Sequence, residues 1–205
     1  MCADLSDNRP GESARRKADE LKNGSPIRTA LARILNVHTD EKAWRKGSKG
    51  EEEVASRLLR LGDGWFVLHA VQVREEGTDI DHVVIGPSGV FTLNTKNHLG
   101  KSVTVYERAI YVSGMKLPYI AASRSEGKRS SQLLTAACGF DVKAQSVIVV
   151  MANELKFKGY PKDVDVVARK KIATWLNGQP AVLEPDRVLS IYSAARQSST
   201  WLPSK

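Results

Sequence analysis

The chain has little cysteine and no long apolar run, and each shortage excludes a class of protein. Among its 205 residues the only cysteines are Cys2 and Cys138, and neither lies near a second cysteine or a histidine at metal-ligand spacing. A disulfide framework and a zinc site are therefore not expected. The longest apolar run, from Val147 to Ala152, is far too short to cross a bilayer.

The amino terminus also lacks the features of a secretory signal. Met1 to Asp7 include charged residues and no apolar core, whereas a signal peptide needs one. We therefore expect a cytoplasmic protein with no membrane partner, and the sequence leaves its oligomeric state open.

The chain has fewer acidic than basic residues. The 31 lysines and arginines exceed the 23 aspartates and glutamates, which gives a formal net charge of +8. Such an excess favours a polyanionic partner such as DNA or RNA, through long-range attraction and the release of counterions. Many basic proteins bind no polyanion, so charge alone does not assign the partner.

The order of predicted elements indicates one α/β domain behind a flexible segment. Residues 1–42 are rich in charged and small polar residues, which predicts a flexible basic segment with a possible short helix at 27–37. Periodicity in residues 43–201 predicts a mixed β-sheet flanked by helices. The predicted elements are a helix at 48–61, strands at 65–71, 79–85, 90–96, 102–106 and 109–112, a helix at 127–138, strands at 143–151 and 164–167, and helices at 168–177 and 186–196.

A predicted β-hairpin is the most informative stretch. Two β-branched, apolar segments flank Gly86-Pro87-Ser88-Gly89, and such residues favour a tight turn between strands. If Ile85 pairs with Val90, Asp81 lies opposite Asn94. Lys96 then shares a face with Asn94, because side chains alternate with period two.

Two interpretations of this polar face stand equally from the residues alone. A carboxylate on an apolar strand is costly to bury unless it is paired or binds a metal. Asp81 and Lys96 form a structural salt bridge in the first interpretation. In the second, Asp81 binds Mg²⁺ through its hard oxygen ligands, and Lys96 stabilises charge that develops on a phosphate.

Glu51 is a further candidate, on the helix predicted to begin near Ser48. Helical spacing points its side chain along the apolar stripe that includes Val54 and Leu58, towards the sheet. However, Ser48-Lys49-Gly50-Glu51 also fits a capping box, in which Glu51 only satisfies the Ser48 backbone amide. From this helix alone the capping box is the favoured interpretation.

A family resemblance bears on these alternatives. From about Trp44 to Lys156, the order and spacing of several motifs resemble the nuclease-related domain (NERD) family, a divergent branch of the restriction-endonuclease-like PD-(D/E)xK superfamily. The motifs are Gly47-Ser48-Lys49-Gly50-Glu51, Trp65-Phe66-Val67-Leu68-His69, Ile80-Asp81-His82-Val83-Val84-Ile85-Gly86-Pro87-Ser88-Gly89-Val90-Phe91 and Thr95-Lys96-Asn97.

The resemblance implies a restriction-endonuclease-like core and a hydrolase that cleaves DNA or RNA with Mg²⁺ or Mn²⁺. By position, Asp81 is similar to the metal-binding aspartate and Lys96 to the catalytic lysine. Glu51 resembles the helix glutamate that completes the metal site. Gln132 in the following helix corresponds to a supporting polar position.

The chain departs from the family pattern at Asn94. The family has glutamate or aspartate two residues before the lysine, whereas this chain has Leu93-Asn94-Thr95-Lys96. An asparagine oxygen still coordinates hard cations, but it carries no charge. Two functions therefore remain open: a nuclease that uses Asp81, Glu51 and Asn94 around the metal, and a catalytically impaired nucleic-acid-binding or interaction module of the same fold.

Overall fold

The structure is a computed structural model that describes residues 3–12, 46–73 and 79–202. Helix α1 includes residues 46–58. The other elements are β1 (Phe66–Val71), β2 (Ile80–Gly86), β3 (Gly89–Val105), β4 (Ile110–Val112), β5 (Met115–Leu117), α2 (Tyr119–Cys138), β6 (Ala144–Phe157), β7 (Val164–Ala168), α3 (Ile172–Asn177), α4 (Pro185–Ala195) and α5 (Ser198–Trp201), with 3-10 turns at Leu5–Asp7 and Arg169–Lys171.

Strand β3 organises the seven-stranded mixed sheet. One edge of β3 pairs in parallel with β6 along most of its length, and β6 pairs in parallel with β7. Strands β2 and β4 must therefore share the other edge. β2 pairs with Gly89 to Leu93 and β4 with Val103 to Val105, both antiparallel. Between these two ladders, the described strands leave residues 94–101 of that edge unpaired.

Helices cover both faces of the sheet. Apolar side chains of α1 and α3 pack with those of one face, which includes Val84 and Leu93. The other face, which includes Val83, packs with apolar residues of α2, α4 and α5. This open mixed sheet between helices confirms the predicted α/β, restriction-endonuclease-like fold. No helix in the described ranges is long and apolar enough to cross a membrane.

Several predicted boundaries were wrong, and β6 extends to Phe157 instead of ending at Met151. The two strands expected at 90–96 and 102–106 are one strand. Its pairing with β6 shifts register between His98 and Ser102, which is where the sequence predicted a break. Helix α2 begins at Tyr119, not Gly127. Two of the three buried residues in the first half of α2 are Ser123 and Gly127, so an apolar periodicity does not mark this part of the helix.

Residues 3–12, the beginning of the segment expected to be flexible, pack against the domain. Leu5 lies in the hydrophobic core, and Asp4 forms an ion pair with Arg196 just after α4. The backbone amide of Ser198 donates to the carbonyl of Ala3, 2.9 Å away. The possible helix at 27–37 and the predicted domain start at residue 43 lie outside the described residues.

Gly127 allows α2 to lie close against β6, and replacing it tests that packing. A Cβ at this position would lie 2.1 Å from the Ser146 hydroxyl oxygen and 3.3 Å from the Ala144 carbonyl oxygen. We expect Gly127→Ala to lower the free energy of unfolding by about 1–3 kcal/mol, the usual cost of overpacking a core. Urea unfolding measures the change. Adding Ser146→Ala should recover part of it, and an unchanged midpoint in Gly127→Ala would contradict the close approach.

Candidate active site

The hairpin forms in the predicted register but ends one residue early. Ile85 pairs with Val90 and His82 with Leu93, and the ladder stops there. Asp81 therefore faces Asn94 without a backbone pair. Its carboxylate accepts a hydrogen bond from the backbone amide of Thr95 instead. Asp81 thus lies where β2 leaves β3, at the beginning of the unpaired edge.

Asp81 lies in an environment that opposes its charge. Burial raises the pKa of its carboxyl group above the usual range, against the opposing effects of Lys96 and the Thr95 backbone amide. A carboxylate that is partly buried and incompletely neutralised favours the approach of a cation.

Lys96 and Asn94 bond to each other. The Lys96 ammonium donates to the Asn94 side-chain oxygen at 2.7 Å and lies 5.3 Å from the centre of the Tyr119 ring. The Lys96 ammonium therefore bonds to the amide of residue 94, and its influence on Asp81 is electrostatic. This arrangement does not support the simple Asp81–Lys96 salt bridge.

The capping box at Ser48 does not form. Residues 46 and 47 are already helical, and the Ser48 hydroxyl donates to the Glu52 carboxylate at 3.0 Å. The cap was predicted because residues 48–51 match the motif, but α1 already includes the residues before it. Glu51 is instead turned inwards with Val54, and only 9% of it is exposed.

Glu51 interacts electrostatically with Asp81. Burial, and then the Asp81 charge, raise the pKa of Glu51 to about 8, although the Gly11 backbone amide donates to its carboxylate and Lys96 also opposes the shift. Helix α1 packs on the sheet face opposite Lys96, so this interaction crosses the sheet where β2 and β3 separate. The charges of Glu51 and Asp81 therefore disfavour each other across the sheet.

Glu126 is a site residue that the sequence analysis missed. The Asn94 amide nitrogen donates to its carboxylate at 2.7 Å. Burial is the main cause that raises the pKa of Glu126 to about 7, and the charge of Asp81 adds to it. By contrast, Gln132, implied by the family resemblance, is exposed on α2. Glu126 is the only acidic residue of α2, but it lies before the predicted helix start.

A cleft on the α2 side of the sheet exposes part of this group. Its volume is about 260 Å³, and its lining includes Asn94, Lys96, Tyr119, Glu126 and Arg129. Neither Asp81 nor Glu51 is among the residues that line it. Its walls carry an ammonium, a guanidinium and a phenol, beside the Glu126 carboxylate.

The oxygen ligands suit a hard divalent cation, although they are not gathered as a formed metal site. Within residues 3–12, 46–73 and 79–202, no three His, Cys, Asp or Glu side chains lie close enough to hold a metal ion. The carboxylate and amide oxygens of Asp81, Glu51, Glu126 and Asn94 are nevertheless of the type that Mg²⁺ prefers over nitrogen or sulfur. One carboxylate oxygen of Glu126 is buried and has no hydrogen-bond partner among the described residues.

Comparison with known proteins identifies the domain. A model of the nuclease-related domain (NERD) family matches residues 46–151. The chain belongs to this family. The matched part of the NERD domain begins in α1 and ends in β6, and therefore includes all the residues of the candidate site. The general context of this domain is the PD-(D/E)xK superfamily.

A curated relative covers only part of the NERD protein. An uncharacterized protein of Bacillus anthracis is 44% identical over 74 residues, which are 34% of each chain. The chain thus spans about a third of the length of that relative. No solved structure matches.

Proposed function

We propose that this NERD protein is a metal-dependent nuclease that hydrolyses phosphodiester bonds in DNA or RNA. The observation that carries the proposal is the position of Asp81 and Lys96. Asp81 lies at the beginning of the unpaired edge of β3 and Lys96 lies within it, on the wall of the cleft. Both occupy positions that the family resemblance assigns to catalysis. Asp81 lies at the end of the β2–β3 ladder, where a phosphate can approach without breaking backbone pairs.

Each side chain has a distinct role in this proposal. Asp81 and Glu51 hold Mg²⁺ or Mn²⁺, with the Asn94 side-chain oxygen as a further polar ligand. When bound, the metal polarises the scissile phosphate and lowers the pKa of an attacking water. Lys96 orients that water and offsets the negative charge of the transition state. Asn94 accepts a hydrogen bond from the Lys96 ammonium, so it also positions the group that orients the water.

The charge distribution supports a nucleic-acid substrate. The net charge of +8 attracts a polyanion, and Lys96 and Arg129 both line the cleft. Contacts of this kind bind the phosphate backbone and do not read the base sequence. We therefore propose that the protein binds nucleic acid with little sequence preference.

The second candidate is a nucleic-acid-binding or interaction module without catalysis. The observation that favours it is Asn94, which removes a negative charge from the strand that carries Lys96. In this case the cleft still binds a phosphate backbone, but the metal is held too weakly for hydrolysis.

A cleavage assay tests the nuclease proposal. Purified protein is incubated with labelled single- and double-stranded DNA and RNA in Mg²⁺, in Mn²⁺ and in chelator. We expect cleavage in either metal and none in chelator, because the proposed hydrolysis needs a polarised phosphate. Cleavage that persists in chelator, or no cleavage of any substrate, would contradict the proposal.

A salt series separates the two candidates from a protein that binds no nucleic acid. In chelator, the logarithm of the binding constant for a labelled oligonucleotide should fall linearly with the logarithm of salt concentration, since each neutralised phosphate releases counterions. Fluorescence anisotropy between low and physiological salt measures the slope. Binding without cleavage would favour the impaired module, and no binding at low salt would exclude both candidates.

A further inference from the structure

Asn94 links Lys96 to Glu126 through both ends of its amide. Its oxygen accepts from the Lys96 ammonium and its nitrogen donates to Glu126, each at 2.7 Å. An aspartate at position 94 could accept from Lys96 but could not donate to a carboxylate. The amide at 94 and the carboxylate at 126 are therefore complementary: the acidic group is absent from the strand and present on the facing helix.

The second oxygen of Glu126 lacks a partner. This oxygen, Oε1, is buried and accepts no hydrogen bond from any described residue. A buried acceptor left unsatisfied costs about 1–3 kcal/mol, and native structures retain such groups mainly where a water, an ion or a function accounts for them. Glu126 also lines the cleft with Lys96, and it interacts electrostatically with Asp81. Its free oxygen is thus suited to a cation held with Asp81.

The packing of α2 holds Glu126 in this position. The neighbouring Gly127 lies against β6 so closely that no Cβ fits without movement of Ser146. The Ser146 hydroxyl donates to the carbonyl of Ser123, one turn earlier in α2, at 2.8 Å. The helix therefore presents Glu126 from a fixed backbone, as a precise ligand requires.

We propose that Glu126 supplies the carboxylate ligand that β3 lacks, and that it binds a divalent cation together with Asp81. Asn94 is then a positioning residue that orients Glu126 and Lys96. This inference rests on the proposed function for the identity of the cation, but the ligand that it adds, Glu126, lies outside the family pattern.

Metal binding without nucleic acid tests the inference. Binding of Mn²⁺ is measured by the electron paramagnetic resonance signal of the free ion, for wild type, Glu126→Gln and Glu107→Gln. Glu107 is a matched control, because it is exposed beside Lys162 at the far end of β3. We expect Glu126→Gln to weaken Mn²⁺ binding at least about tenfold, as loss of a supporting group already does at metal sites. Glu107→Gln should bind as wild type does. Wild-type affinity in Glu126→Gln would overturn the inference.

A charge swap tests the exchange between strand and helix. In Asn94→Asp combined with Glu126→Gln, the amide at 126 can donate to the carboxylate at 94, so the hydrogen bond is reversed. We expect this double variant to regain most of the Mn²⁺ affinity lost in Glu126→Gln. No recovery, with both variants folded by circular dichroism, would overturn the exchange.

Cleavage assays on the same variants distinguish the two proposals. Binding of Mn²⁺ that depends on Glu126, without any cleavage by wild type, would support this inference and reject the nuclease. Metal-dependent cleavage by wild type, together with full Mn²⁺ affinity in Glu126→Gln, would support the nuclease and reject this inference.

Discussion

Replacing Lys96 with methionine is expected to reduce cleavage by about 10²–10³-fold, the usual effect of removing one group that stabilises transition-state charge. Methionine keeps much of the length and apolar character of the side chain but has no ammonium. Binding of the oligonucleotide in chelator should change little, because the rest of the basic surface remains. Single-turnover cleavage at saturating protein measures the chemical step separately from binding.

Lys101→Met is the matched control for this result. Lys101 lies on the same strand but is exposed, so its loss should leave the single-turnover rate close to that of wild type. Equal losses in both variants would show that the effect is not specific to Lys96 and would contradict its catalytic role. Full activity in Lys96→Met would exclude its catalytic role.

Replacing Glu51 with glutamine is expected to stabilise the protein, increasingly so as the pH rises. The pKa of Glu51 is about 8 in the folded protein, against an ordinary value of 4.5, with burial as the main cause. Between these values the folded state retains a proton that the unfolded state loses, so the wild type loses stability as the pH rises. The slope approaches about 1.4 kcal/mol per pH unit at full effect. Glutamine does not titrate, so the variant keeps the stability that the wild type loses as the pH rises.

Thermal unfolding from pH 4.5 to pH 8.5 measures this difference. The melting temperature of Glu51→Gln should match that of wild type at the acidic end and exceed it at the alkaline end. Glu52→Gln, on the exposed side of α1, should follow wild type throughout. Mn²⁺ at pH 8 should raise the melting temperature of wild type more than that of Glu51→Gln, because the cation stabilises the ionised carboxylate. A difference that does not depend on pH would contradict the burial of a titrating Glu51.

The hairpin shows how far local rules extend. The Gly-Pro-Ser-Gly turn and the alternation of side chains predicted the pairing of Ile85 with Val90, which is confirmed. The predicted opposition of Asp81 and Asn94 follows from the same register. Where β2 separates from β3 was not predictable, because it depends on the Thr95 backbone amide bonding to the Asp81 carboxylate.

Glu51 shows how a local motif can mislead. The four residues of the capping box are present, and the motif describes a helix that begins at Ser48. The helix already includes residues 46 and 47, so the same residues adopt a different role. The prediction that Glu51 points along the apolar stripe held, because helical periodicity does not depend on where the helix begins.

The sequence by itself determined the α/β class, the hairpin register and the positions of Asp81, Asn94 and Lys96 on one strand pair, because each follows from residue periodicity and turn chemistry over a few neighbours. Only the tertiary structure decided that Glu126 lies beside Asn94 and Lys96. Asn94 and Glu126 are 32 residues apart, and they meet because Gly127 lets α2 lie close against β6. That contact depends on how a helix packs across a sheet, which no local pattern encodes.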